Sequence, residues 1–324
     1  MEIAAAPTPL DIQYLLFLQD FRTRIHDVLT PSMETISLFA VTYLIMIPVL
    51  VYWMINKKSG LYTLASYYLC CGINAIVKLT VCAYRPWIRD PRIQPAGDAI
   101  RTAGGYSFPS GHTATAGPIY GGLAVSAWKR MKWVSVICTI MILLTGFSRN
   151  YLGVHTPQDV FVAICETVLT LILVSRVFAY LEKHPEREDR FLMASFVCGW
   201  LAIVYITFKS YPMTYIDGKL LVDPKDMMRS GYGDIALLIS FPAARYVEKR
   251  WVRFRPTGIN GKGFAVCAVG MIGLWAILTY VKAPLANLLG QNWGRFVNTG
   301  VIVFYSIVLY PLVIKLVTGK ERQE

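Results

Sequence analysis

Three short stretches, KLTVCAYRP at residues 78–86, PSGH at 109–112 and SRNYLGVHTPQD at 148–159, place polar side chains at the edges of apolar runs. They bring two histidines, three cations, two serines and one carboxylate next to segments long enough to span a bilayer. Such a set is unusual beside membrane spans, but it makes chemical sense around one phosphate group. We therefore predict that the functional site of the protein lies at these three stretches.

The cations of these stretches can neutralise a bound phosphate. Lys78, Arg85 and Arg149 are fixed positive charges, and the planar fork of arginine can bind two oxygens at once. Lys78 and Arg85 are seven residues apart, so on one helix they would share a face. Ser110 can add a hydroxyl donor, and Gly111 has no side chain to keep a backbone N–H away from an oxygen. We therefore predict a phosphate pocket.

The two histidines suggest covalent chemistry at phosphorus. His155 and Asp159 are one turn apart if helical, so the carboxylate can hold one ring nitrogen and leave the other as a nucleophile. His112 would give a proton to the leaving oxygen. The predicted reaction is an in-line displacement through a phosphohistidine, which water then hydrolyses, while the cations stabilise the transition state.

The three stretches are similar to the three-part signature of the type-2 phosphatidic acid phosphatase superfamily, which includes lipid phosphatases, glucose-6-phosphatase and vanadium haloperoxidases. Every signature position matches, over about residues 36–182. The resemblance implies that His155 is the nucleophile, Asp159 its partner and His112 the acid. It also implies a phosphate pocket without a metal or another cofactor, formed by Lys78, Arg85, Ser110, Gly111, Ser148 and Arg149.

Each part of the signature has a plain structural explanation when it is taken alone. Lys78 could be a snorkelling lysine at a helix end, His112 part of a turn, and Arg149 a positive anchor. The pair of His155 and Asp159 could be a helix-start cap. Many residue types coincide here with fixed spacings, and that coincidence favours the functional interpretation.

Composition predicts an all-α membrane protein. The 324 residues are 55% hydrophobic and 16% charged, with a mean hydropathy of +0.46, and the apolar residues fall in long runs. We expect a polytopic helical bundle of about nine transmembrane helices with a six-helix phosphatase core. The predicted spans are about 36–56, 61–84, 111–128, 133–148, 158–181, 191–209, 231–247, 263–281 and 296–317.

These spans divide the chain into three predicted regions. Residues 1–35 would form an amphipathic interfacial segment, residues 36–210 the phosphatase core, and residues 211–324 additional transmembrane helices. The span at 231–247 is the least regular, because it contains Asp234, Pro242 and Arg245. Residues 87–108 form a loop that is either an active-site cover or a solvated linker. Glu166 inside the fifth span is either functional or held by a neighbouring helix.

The charge pattern predicts sidedness. The net charge of +12 lies largely in short loops, which indicates membrane topology and anionic headgroups and not nucleic acid. With nine spans, the basic loops fall on one face, which would be cytoplasmic. The three site stretches then share the opposite, extracytoplasmic face. We predict an integral membrane protein of the bacterial plasma (inner) membrane, and the alternative that the sequence leaves open is the membrane of the endoplasmic reticulum.

The sequence leaves several functions open. The first is a metal-independent phosphomonoesterase with membrane lipids as its surroundings and a phosphorylated lipid, or a lipid pyrophosphate, as substrate. The alternative is a glucose-6-phosphatase-like hydrolysis of a soluble sugar phosphate. A vanadate-dependent haloperoxidase and a non-catalytic transporter or lipid-binding protein are further classes. The sequence predicts neither the exact substrate nor the oligomeric state.

Overall fold

The computed structural model describes residues 8–216 and 218–319, and it is an all-α polytopic bundle. The helices are α1 Leu10–Arg24, α2 Thr30–Thr42, α3 Met46–Leu50, α4 Lys57–Val81, α5 Pro86–Arg89, α6 Gly111–Ala127, α7 Lys132–Tyr151, α8 Pro157–Lys183, α9 Glu188–Phe208, α10 Pro224–Val247, α11 Gly261–Tyr280, α12 Lys282–Leu289, α13 Gln291–Phe304 and α14 Tyr310–Thr318. Short π-helical turns follow α3, α10 and α13 at Val51–Ile55, Glu248–Val252 and Tyr305–Leu309. Strands β1 Tyr215–Ile216 and β2 Lys219–Leu220 form one small antiparallel hairpin.

Helices occupy all nine predicted spans. In the described residues, six helices are long and apolar enough to cross a membrane, and a seventh span results if Thr30–Thr42 and Met46–Ile55, bent by 44°, cross together. The helices α6 and α10 do not meet this criterion. Helix α6 has only 17 residues, and α10 carries charged residues along its length.

The polar helix α10 is accommodated because it lies inside the bundle. It packs against α4, α9 and α13, and Ile235, Ala236, Ile239 and Ala244 along it are buried. The C-terminal helices also share a core with the first span, where Trp53 Nε1 donates to the Ser306 carbonyl at 2.7 Å. The region predicted at 211–324 therefore packs onto the core.

The structure describes only part of the predicted terminal regions. Residues 1–7 and 320–324, with residue 217, lie outside the described residues. Within the N-terminal region, the predicted interfacial segment contains α1, and Phe17 and Phe21 on this helix are exposed. Arg22 on the same helix is buried and donates to the Tyr151 and Gln94 carbonyls at 3.2 and 2.8 Å. Helix α1 thus packs on the loop and helix end that surround the site.

Small residues let α6 approach its neighbours closely. A Cβ added to Gly117 would lie 2.2 Å from Thr167 Oγ1 on α8, and one added to Gly122 would lie 2.7 Å from Thr63 Oγ1 on α4. These distances are far inside van der Waals contact, so neither position has room for a side chain. The close packing fixes the N-terminus of α6, where the PSGH stretch lies.

We expect Gly117→Ala to destabilise the protein by about 1–3 kcal/mol, because the added methyl overpacks the α6–α8 interface. Thermal unfolding in detergent measures this change. The control is Gly261→Ala at the start of α11, where an added Cβ meets nothing within 4 Å. Equal stability of the two variants would contradict the proposed close packing.

Candidate active site

Lys78 lies in the last turn of α4 and reaches the PSGH stretch. Its ammonium donates to the Ser107 carbonyl at 3.3 Å and to the Pro109 carbonyl. Helix α4 ends at Val81 because Cys82 takes a left-handed conformation with φ 53°. The prediction that Lys78 and Arg85 share one helical face is therefore wrong. Arg85 follows in an extended conformation, immediately before α5.

Arg85 is buried and held by backbone carbonyls. Its guanidinium donates to Gly104 O at 3.0 Å, Gly105 O at 3.2 Å and Val154 O at 2.9 Å. These bonds satisfy a buried cation with neutral acceptors. Within residues 8–216 and 218–319 no carboxylate hydrogen-bonds to it, although Asp159 attracts it electrostatically. The same guanidinium lies 2.8 Å from Nε2 of His155. Arg85 is therefore positioned beside the predicted nucleophile.

The predicted contact between His155 and Asp159 is present. His155 Nδ1 lies 3.1 Å from Asp159 Oδ2, although His155 precedes the helix and Thr156 is the N-cap of α8. The carboxylate also accepts from the Thr156 N–H at 2.9 Å and from the Ser107 hydroxyl at 2.5 Å. These contacts fit a ring whose Nδ1 carries the proton and whose Nε2 has the free lone pair.

The charge state of His155 follows from its surroundings. Burial lowers the pKa of its imidazole well below the usual range, and the Arg85 cation lowers it further. The hydrogen bond to Asp159 acts in the opposite direction but does not reverse the shift. This shift favours the neutral ring, which is the state a nucleophile requires.

The PSGH stretch begins α6. Ser110 is the N-cap, and its Oγ accepts from the Thr113 N–H at 3.4 Å and the Thr113 hydroxyl at 3.0 Å. Gly111 and His112 form the first turn and line the cavity of the site. His112 Nε2 is buried without a hydrogen-bond partner within residues 8–216 and 218–319. A helix N-terminus facing a cavity favours an anion there.

Ser148 and Arg149 lie in the last turn of α7, behind the cavity wall. The Ser148 hydroxyl donates to the Thr145 carbonyl at 2.7 Å, within its own helix. Arg149 is buried and donates from Nη1 to the Ser37 hydroxyl at 2.5 Å. Its Nε and Nη2 have no partner in the described part of the chain. Arg149 thus keeps two buried donors for an anion.

A cavity of about 150 Å³ lies between these elements. Five predicted site residues line it, namely Lys78, Arg85, Gly111, His112 and His155. The other four, Ser110, Ser148, Arg149 and Asp159, are buried and do not contribute to its wall. The remaining wall comes from Ala75 and Leu79 of α4, from the loop residues Thr102, Gly104 and Tyr106, and from one face of α10.

The loop at residues 87–108 is an ordered part of the site. Ile93, Ala96, Ala103 and Tyr106 are buried, and the loop supplies two of the carbonyls that hold Arg85. The alternative of a solvated linker is therefore wrong. For Glu166, the structural alternative fits: its Oε2 accepts from Asn74 Nδ2 at 2.8 Å, and Glu166 does not line the cavity.

Comparison with known proteins places a family domain over this part of the chain. Residues 58–183 match the profile of the PAP2 superfamily, and all nine predicted site residues lie within this range. The predicted resemblance to the type-2 phosphatidic acid phosphatase superfamily is therefore confirmed for residues 58–183. It is also 34% identical over 83 residues to phosphatidylglycerophosphatase B of Bacillus subtilis (strain 168), a match that covers 24% of this chain and 40% of that relative. No solved structure gives a significant match.

Ser107 was not predicted from the sequence as a site residue. Its hydrogen bond to Asp159 leads to a testable prediction. We expect Ser107→Ala to lower kcat about tenfold, because it removes a hydrogen bond that positions Asp159 behind the nucleophile. KM should change little, since Ser107 does not line the cavity. Steady-state kinetics measures both constants. The control is Ser66→Ala, which removes another buried hydroxyl bonded only within its own helix. Unchanged kcat in Ser107→Ala would refute the positioning role.

Proposed function

We propose that this protein is an integral-membrane phosphatase that hydrolyses a phosphate monoester, or a pyrophosphate, of a lipid through a phosphohistidine intermediate. The observation that carries the proposal is the position of His155, whose Nδ1 lies 3.1 Å from Asp159 Oδ2 while the ring lines a cavity shared with Lys78, Arg85 and His112. A nucleophile, a second histidine and unneutralised cations are the parts that phosphoryl transfer needs.

The reaction proceeds in two displacements. His155 Nε2 attacks phosphorus, the bond from phosphorus to the ester oxygen breaks, and His112 gives that oxygen a proton. Water then attacks the phosphohistidine, His112 takes a proton from the water, and inorganic phosphate leaves as Nε2 is regenerated. Arg85 donates to Nε2 in the present structure, so a bound phosphate must take over this N–H before the lone pair can attack.

The unpartnered donors support phosphate as the bound group. Leaving buried N–H groups without acceptors costs free energy, and both Arg149 and His112 contain such buried atoms. A phosphate presents several acceptor oxygens and a charge that Lys78, Arg85 and Arg149 can offset. Gly111 lines the cavity, whereas the hydroxyls of Ser110 and Ser148 are bonded to Thr113 and Thr145, so a role for these two serines in the phosphate pocket stays a prediction.

We favour a lipid as the alcohol part of the phosphate monoester that the protein hydrolyses. The partial relative is named for a phosphatidylglycerophosphate substrate, and the cavity lies where α4 ends and α6 begins, at one end of the helices. At that depth an anchored lipid brings its headgroup to the site by lateral diffusion. A soluble sugar phosphate remains the alternative, which a substrate panel separates.

We expect purified wild-type protein to release phosphate from lipid phosphates in excess EDTA, and His155→Ala to lose both turnover and the labelled phosphoenzyme. The matched control is His184→Ala, which removes a partly exposed histidine just after α8, outside the cavity. A panel of lipid and sugar phosphates measures release. Retained activity of His155→Ala would overturn the nucleophile, and loss of activity in EDTA that a divalent cation restores would overturn metal independence.

We further propose that the site faces the extracytoplasmic side of a bacterial plasma membrane. Several basic segments converge at one end of the bundle: Lys58 pairs with Glu182, Lys249 with Glu188 at 2.9 Å, and Lys262 donates to the Val317 carbonyl. The other end contains the site, where α1 packs and where Tyr84 donates to Thr214 at 2.7 Å. An excess of basic residues favours the cytoplasmic side.

Cysteine accessibility in intact cells tests this orientation. On a background without native cysteines, we expect Ile100→Cys to label with a membrane-impermeant maleimide and Lys58→Cys to label only after lysis. Both side chains are exposed, so burial does not protect either reporter. The reverse labelling pattern would overturn the proposed sidedness.

A further inference from the structure

One face of α10 completes the cavity, although α10 lies outside the segment that matches the PAP2 superfamily. Met227, Ser230, Gly231 and Asp234 line the cavity. Their spacing of three, four and seven residues from Met227 places them on a single helical face. This part of the cavity wall therefore comes from the C-terminal region of the chain, outside the segment that matches the PAP2 superfamily.

This face of α10 is held in place by close packing. A Cβ on Gly231 would lie 2.5 Å from Leu79 Cδ1 of α4, and one on Gly233 would lie 2.8 Å from Arg295 Nε of α13. Met227 Sδ accepts from the Tyr106 N–H of the loop at 3.4 Å. These three contacts fix the position of α10 along its axis and its rotation about that axis. They therefore also fix the position of Asp234.

Asp234 is the only carboxylate on the cavity wall among the described residues. Over residues 8–216 and 218–319 its side chain makes no hydrogen bond, and no cation lies within 4.0 Å to form an ion pair. Arg295 and Lys78 both attract this carboxylate electrostatically, but neither forms an ion pair with it, and Lys78 directs its N–H groups at the carbonyls of Ser107 and Pro109. The carboxylate therefore has free acceptor capacity on the cavity wall.

A carboxylate beside a phosphate needs a physical reason. Two negative groups repel each other, and an intramembrane carboxylate is costly by itself. A hydroxyl between them changes the balance, because it donates its proton to the carboxylate in a charge-assisted hydrogen bond. The cavity, at about 150 Å³, has the volume of about five water molecules, enough for a phosphate and the first atoms of its alcohol.

We propose that Asp234 determines specificity by accepting a hydrogen bond from a free hydroxyl next to the phosphate ester. This inference rests on the proposed function and narrows its substrate class to phosphate monoesters whose alcohol carries a second, unesterified hydroxyl, such as a glycerol unit attached to a lipid. Asp234 does not take part in bond breaking. It selects among esters that the catalytic histidines would otherwise hydrolyse alike.

A matched pair of substrates tests the proposal. The first is a long-chain monoalkyl ether of glycerol phosphate with a free middle hydroxyl, and the second is its analogue with hydrogen at that carbon. We expect wild-type kcat/KM to favour the first by about 10- to 100-fold, the range for one hydrogen bond to a charged group. Asp234→Ala should reduce the ratio to about one, and Asp234→Asn, a neutral acceptor, should give an intermediate ratio.

The control is Asp226→Ala, which removes an exposed carboxylate two turns earlier on α10, outside the cavity. This variant should keep the wild-type ratio. An equal loss for both substrates in Asp234→Ala would overturn the proposal and would instead make Asp234 a counter-ion of Lys78. Equal wild-type activity on both substrates would also overturn it, while leaving the proposed phosphatase function intact.

A binding measurement tests the role of Asp234 independently of phosphate hydrolysis. With His155→Ala, which cannot turn over, the thermal stabilisation by each ether phosphate reports affinity alone. Tighter binding of the hydroxyl-bearing compound, lost when Asp234→Ala is added, supports the proposal even if wild-type turnover were absent and the proposed function failed. Equal binding of both compounds by His155→Ala would overturn it.

Discussion

The site depends on the carboxyl group and carbonyl of Asp159. Its side chain gathers donors from His155, Thr156 and Ser107, and its backbone carbonyl accepts from the Ser110 N–H at 2.9 Å. One residue in the first turn of α8 thereby joins the nucleophile, the loop and the N-cap of α6. Because a capping box fixes Asp159 in turn, the geometry of the site is tied to the start of a helix, which is one of the stiffer places in a fold.

Burial of cations without matching carboxylates is the second constraint. Arg85 is satisfied by the carbonyls of Gly104, Gly105 and Val154, and Lys78 by those of Ser107 and Pro109. Neutral acceptors offset desolvation and leave the positive charge available to a ligand. This arrangement requires the chain to leave α4 at Cys82 and return as an ordered loop, so the loop is as much a part of the phosphate pocket as the cations that it holds.

The sequence predicts best those features that depend on residues close together in the chain. It predicts less well the features that depend on residues far apart in the chain. The helices and the contact between His155 and Asp159 follow from local hydropathy and from spacing within one turn, and both were predictable. The exit of Arg85 from the helix was missed, although Pro86 signals it, because the residue before a proline favours extended backbone. The left-handed Cys82 that ends α4 leaves no such signal. Ser107 and the α10 wall were missed for another reason: both act across packing contacts between segments far apart in sequence, which a single sequence does not encode in any spacing.

Helix α10 shows how a long-range feature of the site can lie outside the family segment. Its charged residues weaken it as a lipid-facing span, and the central position between α4, α9 and α13 removes that cost. Once enclosed, the helix can present a polar group to the cavity that a lipid-facing helix could not carry. In the proposed mechanism, the displacement at phosphorus uses residues between Lys78 and Asp159, whereas the proposed selectivity comes from Asp234 on α10. The two proposals thus assign chemistry and selectivity to different helices, and only the residues proposed for the chemistry are tied to the capping box of α8.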